Sequence, residues 1–373
     1  DFGLDPVAQE FLLDGQLVQL CLRLDNAARE GTRRGDGVQF PRVGLEECLI
    51  ATRDSDHWNS PLGDAPAGKA RGRGIATAYW MNGGGKSTCD LMLQDDGTVM
   101  MNEGSADIGG TRASIAMQAA EVLGIPAEDV HPSIPDTDSI GFTGVTGGSR
   151  TTYATGLAAY NAAHKLVDEL KDRLANLWET EVDKIDFADG MFSSDGQTIG
   201  IQELAGRLDP TGGPVTSTAS VNPSSAGAAY GVHICDLEVD LATGKTDVIR
   251  YTAVQDVGKA VHPQYAEGQI QGGAVQGIGW ALNEEYFYRD DGTMANSTFL
   301  DYRMPTSLDM PMIDTIMVEV PNPLHPYGVR GVGEVPICPP LSAVVQAIHG
   351  ATGKRYYDLP VKPGRILEAT NGN

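Results

Sequence analysis

One carboxylate in the sequence stands where it could act as a general base. Glu334 follows Gly333 in the run YGVRGVGEVP, residues 327–336, and its other near neighbours are valine and proline. Apolar surroundings disfavour the ionised form of a carboxyl group, which suits a residue that takes up a proton near neutral pH. The alternative is a solvent-exposed loop glutamate, the usual place for this residue type.

Two glycine-rich stretches precede predicted helices and are typical of anion-binding sites. Backbone N–H groups at a helix start bind phosphate or carboxylate groups, and nearby hydroxyl and guanidinium groups add donors. The alternatives are an ordinary strand-to-helix turn for the first stretch and helix capping by Ser or Thr for the second. The candidate residues are Ile108, Gly109, Gly110, Thr111 and Arg112 in GSADIGGTR, and Gly147, Gly148, Ser149, Arg150 and Thr151 in TGVTGGSRTT.

A third glycine-rich run, GQIQGGAVQGIG at residues 268–279, carries two glutamines of interest. The side-chain amides of Gln269 and Gln276 can donate and accept at once, which suits the edge of a heterocycle or a phosphate. The alternative is a helix that packs closely through its glycines and exposes its glutamines to solvent.

The stretch MNGGGKST at residues 81–88 ends like a phosphate-binding P-loop. A P-loop needs GxxxxGK followed by Ser or Thr, placed between a strand and a helix. Trp80 occupies the position of the first glycine, and the residues after Lys86 alternate as in a strand. We therefore expect a bend between two strands, and the pattern argues against a nucleotide hydrolase.

The elements around these stretches form a weak internal repeat. The triplet CDL occurs at 89–91 and at 235–237. Each copy begins a hairpin, and a helix follows each hairpin, as alternation, turn signals and helical periodicity predict. The predicted elements are 89–93, 98–102 and 113–123 in the first copy, and 235–239, 246–251 and 264–283 in the second.

The repeat predicts an α+β fold of two related α/β lobes. Residues 1–72 are predicted as short helices, one at 44–54, ending in a linker at 57–72. The first lobe then covers 73–217 and the second 218–373. A long amphipathic helix from about 156 to 181 and a Gly-, Pro- and Ser-rich segment at 210–227 connect the lobes.

Composition excludes several classes of protein. The 373 residues carry 27 basic and 50 acidic side chains, a net charge of −23, which argues against a nucleic-acid partner. The five cysteines form no CxxC pair and the seven histidines lack metal-ligand spacing, so we predict no metal held directly by side chains. There is no apolar run of membrane length and no visible signal peptide, which predicts a cytoplasmic protein.

Taken together, the motifs DIGGT, TGGSRTT, GQIQGGAVQGIG and GVGEVP, in this order, resemble the molybdopterin-binding subunits of the xanthine dehydrogenase/aldehyde oxidase family, the molybdenum hydroxylases. The stretches GLDP at 3–6 and LEVD at 237–240 are also similar to that family. The likeness covers nearly the whole chain. It implies that the two lobes are those of a molybdopterin-binding domain.

The resemblance implies a role for each motif. Glu334 matches the general base beside molybdenum. Many members have Gly-Gln-Gly at 109–111, where this chain has Gly-Gly-Thr, and we expect Arg112 to compensate for the absent amide. The residues expected to bind the cofactor are Ile108, Gly109, Gly110, Thr111, Arg112, Gly147, Gly148, Ser149, Arg150, Thr151, Gln269 and Gly333.

The resemblance also implies partners. The cofactor is molybdopterin carrying molybdenum, and whether it is a cytosine dinucleotide stays open. Loops that line the metal precede this region in the family, so a second molybdopterin subunit is expected to supply the N-terminal half, as in split nicotinate dehydrogenase-like enzymes. The 2Fe–2S clusters and FAD are expected on further subunits.

The implied reaction is hydroxylation of an N-heterocycle or an aldehyde, with water as the source of oxygen. Three alternatives stay open at this point. The chain could belong to an aromatic acyl-CoA reductase, to a carbon monoxide dehydrogenase relative, or to a non-catalytic scaffold subunit that only clamps the pterin.

Overall fold

The computed structural model describes residues 15–371, so the GLDP stretch at 3–6 lies outside the described residues. Its α-helices are α1 Gly15–Asp25, α2 Leu45–Arg53, α3 Asp56–Asn59, α4 Thr111–Leu123, α5 Thr151–Trp178, α6 Ile201–Ala205, α7 Pro263–Leu282, α8 Cys338–Thr352 and α9 Pro363–Asn371. Its strands are β1 Lys69–Trp80, β2 Ser87–Leu93, β3 Val99–Glu103, β4 Val130–Ser133, β5 Asp186–Ala188, β6 Met191–Ser194, β7 Gln197–Gly200, β8 Val215–Val221, β9 Ala229–Asp240, β10 Thr246–Asp256 and β11 Ile313–Val318. Short 3₁₀ helices occur at Ala127–Asp129, Val182–Lys184, Asp209–Thr211 and Val335–Ile337.

Two four-stranded sheets share one topology, which confirms the predicted α+β fold. Their strand orders are β4–β3–β2–β8 and β11–β10–β9–β1. In each sheet an antiparallel hairpin has a parallel strand on one side and an antiparallel strand on the other. The hairpins are β2–β3 and β9–β10, and the first strand of each contains a CDL triplet; the strands begin earlier than predicted, at Ser87 and Ala229.

The outer antiparallel strand of each sheet comes from the chain just before the other hairpin. Strand β1 precedes β2 but pairs with β9, from Lys69 opposite Asp240 to Trp80 opposite Ala229. Strand β8 precedes β9 but pairs with β2, from Ser87 opposite Val221 to Leu93 opposite Val215. The predicted lobe limits at 72/73 and 217/218 fall inside these two exchanged strands.

Both segments predicted as connections therefore contain regular structure, and their composition explains the error. The segment 57–72 includes part of α3 and the start of β1. Both Gly72 and Gly74 are residues of β1. Glycine is required at these positions because a Cβ at either would overlap backbone atoms of α8. The segment 210–227 includes β8, whose sequence VTSTASV buries alternate residues. Its Ser and Thr residues are strand residues here, although they are also common in loops.

One face of each four-stranded sheet packs against two helices. Helices α4 and α5 cover the first sheet, with the alanines of α5 against Leu91, Leu93 and Met101. Helices α7 and α8 cover one face of the second sheet. Helix α2 covers its other face, where Leu49 packs with Val232. Strand β9 is therefore buried along nearly its whole length, and the second sheet is a rigid support for what is attached to it.

Candidate functional site

The starts of three long helices line one cavity. The cavity has a volume of about 330 Å³, within the usual size of a small-molecule site. Helix starts carry unpaired N–H groups and a partial positive charge, so their convergence favours an anionic ligand group. The predicted site residues on the wall are Ile108, Gly109, Thr111, Gly147, Ser149, Arg150, Thr151, Gln269, Gly333 and Glu334; Gln276 is there as well.

Glu334 lies in this cavity and is held by one side chain. It is partly buried and occupies the residue before the 3₁₀ turn that leads into α8. The hydroxyl of Ser149 donates to Glu334 Oε2 at 2.9 Å and accepts the backbone N–H of Glu334 at 2.9 Å. The structure thus joins the second and fourth sequence motifs through a pair of hydrogen bonds.

Gln269 lies between two of the predicted glycines. A Cβ on Gly109 would meet the side-chain amide of Gln269, and a Cβ on Gly333 would lie 3.2 Å from its Oε1. Gly109 and Gly110 have φ of 62° and 76°, in the left-handed region that favours glycine. A Cβ on Gly110 would meet the ring of Tyr265. The DIGGT turn therefore fits against α7 only because both of its glycines lack a side chain.

Arg150 is on the wall, but its guanidinium is used inside the protein. The side chain is buried and donates to the carbonyls of Gly84, Gly85, Lys86, Gly144 and Val145 and to the hydroxyl of Ser87. Burial lowers the pKa of Arg150. The expectation that this residue offers a two-pronged fork to a bound anion is wrong, because the fork already binds backbone carbonyls.

The same contacts settle the conformation of MNGGGKST. The glycines lie between β1 and β2, and the strand begins at Ser87, directly after Lys86. The prediction of a bend between two strands is confirmed. Arg150 holds this bend against the start of α5, so the stretch contributes to the site through its carbonyl groups.

Three predicted residues are not on the wall of the cavity. Gly110 and Gly148 lie directly beside wall residues. Arg112 instead forms an ion pair with Asp107, with 2.9 Å between Nε and Oδ2, and its backbone N–H donates to the same carboxylate. The expected compensation by Arg112 is therefore not seen, since its side chain is paired with Asp107.

Other wall residues were not predicted, notably Lys259, His262 and Tyr265. Pro263, at the first position of α7, could have identified His262. Proline is common at the first position of a helix, so the residue before it is expected at the helix start. The rings of His262 and Tyr265 stack with centroids 3.8 Å apart and planes 9° from parallel. Ser114 is a further unpredicted wall residue, whereas Thr146 and Thr152 belong to the predicted TGVTGGSRTT stretch.

A buried ion pair fixes the segment that carries Glu334. Arg330 Nε lies 3.3 Å from Asp256 Oδ2, and both side chains are fully buried. Arg330 also donates to the carbonyl of Val320, and Gln255 donates to the carbonyl of Val332 at 2.9 Å. Burial raises the pKa of Asp256 and Arg330 opposes that rise. Residues 329–334 are therefore attached to the rigid second sheet.

The described residues contain neither a side-chain metal site nor a membrane-spanning helix. Within residues 15–371, no group of three or more His, Cys, Asp or Glu side chains is placed to hold a metal ion. No helix in the same part of the chain is both long and apolar enough to cross a membrane.

Comparison with known proteins identifies the family. Residues 51–311 match the molybdopterin cofactor-binding domain. The xanthine dehydrogenase molybdenum-binding subunit of Escherichia coli is 30% identical over 98% of this chain and 50% of its own length. The gamma subunit of the 6-hydroxypseudooxynicotine dehydrogenase complex of Paenarthrobacter nicotinovorans is 31% identical over 74% of this chain and 36% of its own length.

A solved structure agrees with these relatives. Quinoline 2-oxidoreductase from Pseudomonas putida 86 superposes with a TM-score of 0.85 at 26% identity, over 98% of this chain and 52% of that one. The chain thus spans about half the length of the relatives that match it end to end. The motifs, the fold and these matches show that the chain belongs to the xanthine dehydrogenase family of molybdopterin-binding subunits.

Proposed function

We propose that this chain forms half of the active site of a molybdenum hydroxylase, with Glu334 as its general base. One observation carries the proposal: Glu334 shares a cavity with the starts of α4, α5 and α7. Such a cavity combines a proton acceptor with an anion-binding wall. A scaffold subunit that only clamps the pterin would need the wall but not the carboxylate.

The residues present fit molybdopterin, a heterocycle that carries a phosphate. The helix starts suit the phosphate, and the amide of Gln269 suits the polar edge of a heterocycle. When bound, the cofactor supplies the redox chemistry through its molybdenum. The residues proposed to hold it are Ile108, Gly109, Thr111, Gly147, Thr151, Gln269 and Gly333.

The protein's own part in the reaction is to hold a proton acceptor in one fixed position. Oε2 of Glu334 accepts the Ser149 hydroxyl, so Oε1 is the atom we assign to accept the proton. The attachment of residues 329–334 to the second sheet keeps this atom in place, and a fixed base is more effective than a mobile one.

The substrate and the partners belong to this proposal as well. Some relatives are named for quinoline and for 6-hydroxypseudooxynicotine and others for aldehydes, so we propose an N-heterocycle or an aldehyde as the substrate. As the family resemblance implies, we propose that a second molybdopterin polypeptide completes the site. Iron–sulfur and FAD subunits, a cytosine dinucleotide form of the cofactor and a cytoplasmic location complete the proposal.

Metal analysis of the natively purified complex tests the proposal. We expect about one molybdenum per copy of this chain, since the cavity has one base and one anion-binding wall. Iron and further polypeptides should co-purify. A complete, undegraded complex without molybdenum would contradict the cofactor assignment. Molybdenum with no turnover of N-heterocycles or aldehydes would instead favour the scaffold alternative.

A further inference from the structure

We propose that Ser149 is a positioning residue for Glu334 and not a ligand of the cofactor. The inference rests on the proposed function, because it concerns the base of the same reaction. The family resemblance placed Ser149 in the loop that holds the pterin and its phosphate. The contacts of its hydroxyl point to a different role.

The first argument is the number of hydrogens. A serine hydroxyl has one proton to donate, and Ser149 gives it to Glu334 Oε2 at 2.9 Å. The same oxygen accepts the N–H of Glu334. With its proton used by the carboxylate, the Ser149 hydroxyl has none left to offer to a phosphate or a pterin oxygen.

The second argument is the backbone conformation. Ser149 has φ of 58°, a left-handed value uncommon for residues other than glycine. The conformation is fixed from two sides: Gly83 N–H donates to the carbonyl of Gly148 at 2.5 Å, and Gly331 packs so closely that a Cβ there would overlap the carbonyl of Ser149. Glycine would adopt this φ without strain. A serine in its place is best explained by use of the side chain.

The third argument concerns the other carboxylate oxygen. No hydrogen bond from residues 15–371 reaches Oε1 of Glu334, whereas Oε2 is bound. Ser149 therefore distinguishes the two oxygens and leaves Oε1 to take up the proton. A hydrogen bond to a carboxylate also favours its charged form.

The test uses the purified holo-complex with Ser149→Ala and Ser149→Gly. Glycine relieves the left-handed backbone, so an effect shared by both variants comes from the hydroxyl and not from misfolding. We expect kcat to fall roughly 10- to 100-fold, as for loss of a hydrogen bond to a charged group, with KM unchanged. The acid limb of the pH–rate profile should move to higher pH, and the molybdenum content should equal that of the wild type.

Thr151→Val provides the contrasting variant, because Thr151 lies on the same wall and is proposed to hold the cofactor. It should lower the molybdenum content and leave the pH profile per molybdenum unmoved. An independent readout is the infrared stretching band of the Glu334 carboxylate, identified by its absence in Glu334→Gln. Its frequency should shift in Ser149→Ala, whether or not turnover is measured.

Two results would overturn the inference. Ser149 variants that lose molybdenum in proportion to activity, with an unmoved pH profile, would make Ser149 a cofactor contact. An unshifted infrared band would show that the hydroxyl does not act on Glu334. Full activity of Glu334→Gln, by contrast, would contradict the proposed function and not the contact itself.

Discussion

Gly109 and Gln269 are in contact across the cavity: a Cβ on Gly109 would lie 2.5 Å from Nε2 of Gln269. The two residues come from different motifs, and both line the wall. The contact shows that the DIGGT turn packs directly against α7. The space between them leaves no room for a side chain on the turn.

Gly109→Ala should therefore impair cofactor binding. The methyl group would displace the Gln269 amide, and the φ of 62° adds strain of about 1 kcal/mol for a residue with a Cβ. We expect a clear loss of molybdenum per chain by metal analysis. Gly268→Ala is the matched control, because a Cβ there meets nothing within 4 Å. Equal molybdenum content in the two variants would contradict the assigned contact.

Glu334→Gln should remove turnover and keep the cofactor. Glutamine has nearly the same shape and can still bind Ser149, but it cannot accept a proton as a base. General bases contribute about 10²- to 10⁴-fold to rates, and we expect a loss of kcat in that range with wild-type molybdenum content. The control is Glu169→Gln, a carboxylate of α5 that pairs only with Arg173. Retained activity would exclude Glu334 from the mechanism.

Neighbouring glycines of α7 should respond in opposite ways to alanine. A Cβ on Gly273 would overlap Pro336, next to the Glu334 segment, whereas a Cβ on Gly272 meets nothing within 4 Å. Gly272→Ala should stabilise the helix by about 0.5–1 kcal/mol, since alanine is the better helix former. Gly273→Ala should destabilise the protein by about 1–3 kcal/mol through overpacking. Urea unfolding of both variants provides the measurement, and equal shifts would contradict the packing described.

Stability should fall as pH rises toward neutrality because of Glu103. This residue is fully buried; its Oε2 accepts the N–H of Ser105, and its Oε1 has no partner among the described residues. Burial raises the pKa of Glu103 to about 7. The contribution of Glu103 to the free energy of unfolding is complete below its unfolded-state pKa, near 4.5. It falls by up to about 3 kcal/mol as pH rises through about 7.

Glu103→Gln tests this dependence, since the amide does not titrate. The difference in unfolding free energy between wild type and variant should change between pH 5 and pH 8. Denaturant unfolding at several pH values measures it. The same difference at every pH would show that Glu103 does not ionise in this range.

Arg150→Lys should destabilise the protein strongly. An ammonium group has three donors on one atom and cannot reach the carbonyls that the guanidinium fork binds. Several buried carbonyls would lose their partner, at about 1–3 kcal/mol each. We expect a loss of at least about 3 kcal/mol, measured by urea unfolding. Arg207→Lys, in an exposed pair with Glu203, should change stability by less than about 0.5 kcal/mol.

The local pattern of the sequence was enough for most elements around the site. Alternation identified both CDL hairpins, and helical periodicity identified α4, α5 and α7 with starts a few residues late. The exchange of β1 and β8 was not predictable, because pairing between strands far apart in sequence leaves no local signal. The direction of the Arg150 side chain was missed for a related reason. It depends on backbone carbonyls of a bend that is distant in sequence, and every residue has such a carbonyl.

The exchange of β1 and β8 also sets the order in which the chain can fold on the ribosome. Strand β2 emerges early, but its partner β8 ends only at Val221. Strand β1 emerges earlier still, and β9 begins only at Ala229. The backbone groups of β1 and β2 that bind these partners therefore stay unpaired while more than a hundred further residues are synthesised. The nascent chain therefore exposes unpaired strand edges over this interval, and we expect it to need chaperone protection until both sheets close.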